Sequence, residues 1–314
     1  MRGDQVLGRI SAQVDALVPE QEAGIIGHFG FFDCIDDQEI ANELLRQAEA
    51  WLSERGVFRV QGPFNLSINE ECGLLVDGLD TPPCMMMGHA LPYYPVLLQG
   101  VGYTPVQDML AYHIHPDFEA PPVMRKLAER VSSRVHIRPL NRQRLVEELE
   151  TLRSMFNDAW ANNWGFVPFT EAEFADLGKN VAMLVGDDFI QIAELDGEPA
   201  AFIVAMPNIN EILAKMNGSL LPFGWLRLLW GLKVRFPKSA RVPLMGVRQD
   251  IQHTRLGPTM AFLVIDAVRK SMIKRGITWV ELSWILEQNA GMRNIIESIG
   301  GNAYKRYRIF QRDL

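Results

Sequence analysis

Apolar and polar positions recur along this chain with two different periods. Residues 39–55 are apolar on one face and charged on the other, which predicts an amphipathic helix, and Gly56 stands where a helix commonly ends. Val57-Phe58-Arg59-Val60 predicts a strand, with Gly62-Pro63 turning out of it. Residues 6–32 before the helix read as short strands, of which 25–32 is the most apolar.

The second half is more regular. Residues 135–140 predict a strand and 142–161 a helix of mixed charge, while Thr170 with Glu171 and Glu173 has the form of an N-cap and an acidic first turn. Two strands, 189–195 and 200–206, are joined at Asp196-Gly197, a hairpin signal. A buried strand is expected at 242–247, a long helix from Met260, a strand at 280–286 and further strands at the end. The alternation places the chain in the α/β class with a mixed sheet.

The halves also match each other. Arg55-Gly56 recurs as Arg275-Gly276, and Val57, Val60 and Asn69 recur as Ile277, Val280 and Asn289, all at a spacing of 275 − 55 = 220 positions. Order and spacing agree together, which points to a tandem duplication. The expected division is a degenerate, partial domain at 1–116, a linker at 117–134 and a full domain at 135–314. The first copy has fewer residues ahead of its helix, so a sheet edge left there would need a cover and a homodimer is one way to provide it.

Between the strand at 242–247 and the following helix lie Gln252, His253, Arg255 and Gly257, with Pro258 in the first helical turn. A strand, loop and helix in that order aim unpaired N–H groups outward, where the helix dipole favours an anion such as a phosphate. At the matching place in the first half stand Asp33, Asp36 and Asp37. Carboxylates there suit the helix and repel a phosphate, so only the second copy is expected to hold an anionic cofactor.

This loop resembles the pyrophosphate loop of the GNAT superfamily of N-acyltransferases, Gln/Arg-x-x-Gly-x-Gly/Ala entering a helix. Gln252 and Gly257 take its first and last positions, and Arg255 stands in place of the first glycine. The order of elements over 135–314 is that of a GNAT domain, and the fold implied is two tandem GNAT-like domains, the N-terminal one incomplete. The resemblance implies an acyl-CoA substrate, acetyl-CoA or longer, attacked directly by an amine. It assigns backbone contacts with the pantetheine to Met245, Gly246 and Val247, the phosphates to Gln252, His253, Arg255 and Gly257, and a further cofactor contact to Asn289.

The family's general-acid tyrosine falls at Ile296, so Tyr304 or Tyr307 are the candidates to reach in from the last strands, and Glu281 and Glu287, flanking the strand at 280–286, are candidate bases. The loss of the tyrosine keeps a second reading open, a non-catalytic module that binds acyl-CoA or serves in assembly.

Composition narrows the partners. Lys and Arg number 31 against 38 Asp and Glu, a net charge of −7, which disfavours nucleic acid as a partner. The resemblance implies a small-molecule or peptide amine as the acceptor. Three cysteines, Cys34, Cys72 and Cys84, cannot all pair, and no secretory leader or membrane span is evident, so a soluble cytoplasmic protein is expected. His113 and His115 alternate on one strand face without a nearby third ligand, and no metal is expected. Residues 220–232 are apolar nearly all round, with Arg227, Lys233, Arg235 and Lys238 close by. They read as a buried helix between domains, a wall for a long acyl chain, or a patch that touches a membrane.

Overall fold

A computed structural model describes residues 5–22, 24–216 and 218–314. Its elements are β1 (Gly8–Gln13), β2 (Ile25–Cys34), α1 (Gln38–Ser53), β3 (Val57–Gly62), β4 (Phe64–Asn65), β5 (Glu71–Cys72), β6 (Leu74–Asp77), α2 (Tyr94–Gly100) and β7 (Thr104–Ile114). There follow α3 (Pro122–Val131), β8 (Val135–Pro139), α4 (Leu145–Trp160), α5 (Glu171–Leu184), β9 (Ile190–Leu195), β10 (Glu198–Pro207), α6 (Asn210–Leu213) and α7 (Gly224–Trp230). The chain closes with β11 (Ser239–Val247), α8 (Gln249–Gln252), α9 (Leu256–Lys274), β12 (Trp279–Leu286), α10 (Ala290–Ser298) and β13 (Asn302–Asp313). Pro122–Val131, inside the stretch read as a linker, is thus a helix, its fixed proline φ suiting a first turn.

The chain forms two compact units that interleave in sequence. One takes the described residues up to Ala111 together with Trp164–Val167 and Tyr304–Leu314, and the other takes Tyr112–Asn163 and Pro168–Ala303.

In the first unit the strands run in the order β1-β2-β3-β13-β7, with β6 also on β13. β2 and β3 are parallel and joined by α1, whose Ala41, Leu45, Ala48 and Leu52 are buried at helical spacing. The edge of β3 is filled by the C-terminal strand: Gly62 pairs with Phe310 and Arg59 with Asp313. β1, the strand on the side where the first copy is short, stands at the end of the sheet order.

The second unit orders its strands β12-β11-β10-β9-β8. Only β11 and β12 are parallel, and α9 connects them. Local sequence explains the joints. Asp196 and Gly197 both take positive φ in the β9–β10 hairpin, a turn that asparagine, aspartate and glycine tolerate. Thr170 and Glu173 form a reciprocal capping box at the start of α5. Gly56 and Gly276, the two Arg-Gly glycines, have φ of 75° and 73° and end α1 and α9 in the left-handed conformation that favours glycine.

Candidate functional site

Four residue pairs hold β11 to β12, from Ser239 with Trp279 to Val242 with Leu282, and there the ladder stops. Two features of β11 account for this. Pro243 follows immediately and has no N–H to give to a ladder. Across the other edge, β10 pairs Met206 with Arg241 and Val204 with Leu244, so β11 carries one residue more than its partner and bulges there. A bulge bends the strand that carries it, and beyond Val242 the two parallel strands part.

The gap is a cavity of about 440 Å³. Its walls come from β11 (Val242, Pro243, Met245, Gly246, Val247), from β12 (Leu282, Ser283, Trp284, Ile285, Leu286), from α9 (Gly257, Pro258, Ala261, Ile265) and from α10 (Ala290, Met292, Ile295, Ile296). Gln252 and His253 stand at the turn between α8 and α9, and Gln288 and Asn289 lead into α10. The surface is mainly apolar with a few convergent polar groups, the usual make-up of a small-molecule site.

Each polar group has a structural cause. Gly257 lets the α8 turn fold back on the first turn of α9, since a Cβ there would lie 2.2 Å from the Gln252 carbonyl oxygen. At the start of α9 the Thr254 hydroxyl accepts from the Leu256 N–H at 3.1 Å and the Thr254 carbonyl from the Gly257 N–H at 3.3 Å, so the turn itself takes these first N–H groups. Asn289 caps α10 by accepting from the Met292 N–H at 3.0 Å. Trp160, at the end of α4, donates its indole N–H to the Met245 carbonyl at 3.0 Å.

Seven of the expected cofactor residues, Met245, Gly246, Val247, Gln252, His253, Gly257 and Asn289, line this one cavity. Gly246 has a packing reason as well, because a Cβ would meet the Phe202 ring at 2.5 Å. Arg255 is exposed at the start of α9 and is not in the wall.

The expected acid-base residues are placed differently. Glu281 is 0% exposed and out of the wall: it accepts from the Ser283 hydroxyl at 2.8 Å and lies 3.7 Å from the Arg241 guanidinium, itself buried. Ser283 accepts from Arg241 Nε at 3.0 Å and does line the cavity, so Glu281 reaches the site through that hydroxyl. Glu281 and Ser283, two positions apart on β12, share a face; Ser283 reaches the wall, while the Glu281 carboxylate, held by Ser283 and Arg241, does not. Glu287 is exposed, its carbonyl accepting from Arg293, and is also out of the wall. Tyr304 and Tyr307 lie on β13 in the other unit, Tyr307 fully buried. Ile296 is fully buried and lines the cavity. Among the described residues the wall holds no carboxylate.

Sequence reasoning passed over Trp160, Asn163, Ser283, Trp284 and Gln288. Only the aromatic run around Trp160 offered a signal, since the others depend on which way β11 and β12 part.

The first unit has the same parallel strand pair, and among the described residues chain backbone stands where that gap would open. Beyond His28 paired with Gln61, β2 runs on without β3, and β4 crosses it there. Asn65 accepts from the Phe31 N–H at 2.7 Å, and a Cβ on Gly30 would lie 1.8 Å from the Phe64 carbonyl oxygen. At the start of α1, Asp37 accepts from the N–H groups of Glu39 and Ile40. Chain backbone fills the space and a carboxylate occupies the helix N-terminus that a phosphate would use.

No family model matches the chain. Protein YghO of Escherichia coli (strain K12) is 49% identical over 314 residues, which span 100% of this chain and 80% of YghO. A bacterial ceramide synthase of Caulobacter vibrioides (strain NA1000 / CB15N) is 43% identical over 315 residues, spanning 100% of this chain and 82% of the synthase. Among solved structures, a tandem GNAT protein from the clavulanic acid biosynthesis pathway matches with a TM-score of 0.54 at 10% identity, covering 100% of this chain and 81% of that one. That likeness gives the fold, GNAT.

Proposed function

From the premise that this chain belongs to the family of YghO and the bacterial ceramide synthase and has the GNAT fold, we propose that it transfers a fatty acyl group from acyl-CoA to a long-chain amine. The observation that carries the reading is the apolar cleft between β11 and β12, ending at the N-terminus of α9. An acyl-CoA would lay its phosphates at Gln252, His253 and Gly257, with Arg255 adding charge at the rim. Its pantetheine would run along Met245, Gly246 and Val247, past Asn289, and its thioester would lie toward Val242 and Leu282.

The amine nitrogen attacks the thioester carbonyl, a C–N bond forms, the C–S bond breaks, and the proton lost by the amine ends on the departing thiolate. Ser283 is the wall group to relay that proton, giving its own to Glu281 through the hydrogen bond they share as it takes the amine's, and the relay running back delivers a proton to the thiolate. A ceramide is an amide of a fatty acid with a long-chain amino alcohol, and the relative's name supports that class of acceptor here. Acyl-CoA use and three free cysteines fit a cytoplasmic protein, with the first unit as a reduced second copy of the fold.

Ile296, buried at the family's tyrosine position, favours the second reading, a module that binds acyl-CoA without turnover. The test is purified protein with palmitoyl-CoA and sphinganine, following free thiol and the amide by mass spectrometry. Thiol release that needs both substrates supports transfer. Saturable binding of palmitoyl-CoA without thiol release selects the binding module, and no binding sinks both.

A further inference from the structure

The insertion between β10 and β11 is exposed where an apolar segment would normally be covered. Leu221 is 77% exposed, Phe223 69% and Trp230 54%, and Trp225, Leu226 and Leu229 are exposed as well. No residue of α7 is buried. Among the described residues the segment is held at its base and, at Gly224, against Met216. Gly231 and Leu232 are buried, a Cβ on Gly231 would meet the Ile212 side chain at 2.7 Å, and the Glu211 carboxylate accepts from the Ser239 N–H at 2.7 Å and the Lys238 N–H at 3.1 Å. An inter-domain helix buried on all sides, one of the sequence expectations, is therefore not what forms.

Charge separates this segment from the rest of the molecule. The chain carries a net charge of −7, yet no Asp or Glu occurs between Glu211 and Asp250. Within the apolar stretch and just after it, Arg227, Lys233 and Arg235 are exposed. Among the described residues no helix is long and apolar enough to cross a membrane. Trp and Leu on a short helix flanked by cations suit the boundary between acyl chains and anionic headgroups.

We propose that residues 220–236 dock the protein on a bilayer surface rich in anionic lipid, with α7 entering the headgroup region. Gly224 and Leu228, four positions apart, are half-buried, while Trp225, Leu226, Leu229 and Trp230 stand exposed beside Arg227. Exposed aromatic and aliphatic side chains with cations around them and no acid nearby in sequence select an anionic lipid surface over a second protein surface. Only Ser239, Ala240 and Arg241, roughly 10 Å of strand, separate the insertion from Val242, where the cleft closes. Docking would thus bring the closed end of the cleft near the bilayer, where a long-chain amine resides. The docking stands apart from the catalytic reading, because lipid binding is measured without turnover.

The experiment is flotation of the full chain with vesicles of phosphatidylcholine alone and of phosphatidylcholine with phosphatidylglycerol, at low and high salt. The wild type is expected to float with the anionic vesicles and to be released by salt. Phe223→Ser with Trp230→Ser should weaken partitioning about tenfold or more, through lost apolar area. Arg227→Glu with Arg235→Glu should weaken it at least as far, at about 1 kcal/mol for each charge near the surface. Neither pair touches the cavity, so thiol release with a water-soluble amine should be unchanged, which also reports folding. Failure of the wild type to bind either vesicle, or equal binding by both variants, overturns the proposal. So does sedimentation showing a dimer that both variants convert to monomer.

Discussion

Trp160 and Met245 meet at the edge of the cleft, the indole N–H of one donating to the carbonyl of the other at 3.0 Å. This bond ties α4 to β11 in the stretch where β12 no longer reaches it. Trp160→Phe keeps the ring and removes the donor, leaving the carbonyl to water in an open cavity. A loss of about 0.5–1.5 kcal/mol is expected in urea denaturation, with a rise in KM for acyl-CoA. An unchanged KM would show that the bond supports the strand without shaping the cleft.

Gly257 admits no side chain at its present distance from Gln252. Gly257→Ala forces a Cβ to within 2.2 Å of the Gln252 carbonyl oxygen, so α8 or the first turn of α9 must shift. We expect a stability loss of about 1–3 kcal/mol together with loss of acyl-CoA binding in calorimetry. Stability lost with binding intact would place the phosphates elsewhere.

Ser283 and Glu281 separate a proton path from a structural ion pair. Ser283→Ala should lower kcat by about 10²-fold or more with KM for acyl-CoA little changed, if the hydroxyl carries the proton. Glu281→Gln should lower kcat similarly while keeping much of the packing. Glu281→Ala leaves Arg241 buried without its carboxylate and should cost about 3–5 kcal/mol of stability. Full activity in Ser283→Ala would remove the path and leave the three residues a structural cluster.

His28 gives the first unit a pH dependence. It is buried on β2 with its ring 4.5 Å from that of Phe64, and burial pushes its pKa down to about 4, against a smaller opposing pull from Asp15. The unfolded chain titrates near 6.5 and so binds the proton first. Stability should be full above about pH 6.5 and fall as pH drops toward 4, by about 3 kcal/mol in all. His28→Phe should flatten that part of the profile. Urea midpoints at pH 7 and 5 for both proteins make the comparison.

Much of the second unit was legible in order and type. The hairpin at Asp196-Gly197, the cap at Thr170, and the helix ends at Gly56 and Gly276 are local chemistry, and local chemistry is written in adjacent residues. The same holds for the turn at Gln252, His253 and Gly257, where spacing alone marked a helix N-terminus suited to an anion. Glu281 was harder. Its place beside the cleft in sequence was plain, but whether it faced the cavity or the packing depended on the register of β11 against β12.

What the sequence determined by itself is most of the elements, the turn ahead of α9 and the carboxylates at the start of α1, because propensity, capping and charge act over a few residues. The tertiary structure alone decided three things: that β13 completes the sheet of the first unit, that β4 fills one strand gap while Pro243 and a bulge open the other, and that α7 stands in solvent. Each depends on pairing between residues far apart in the chain, and the free energy of such pairing is set by register and packing that no local pattern contains.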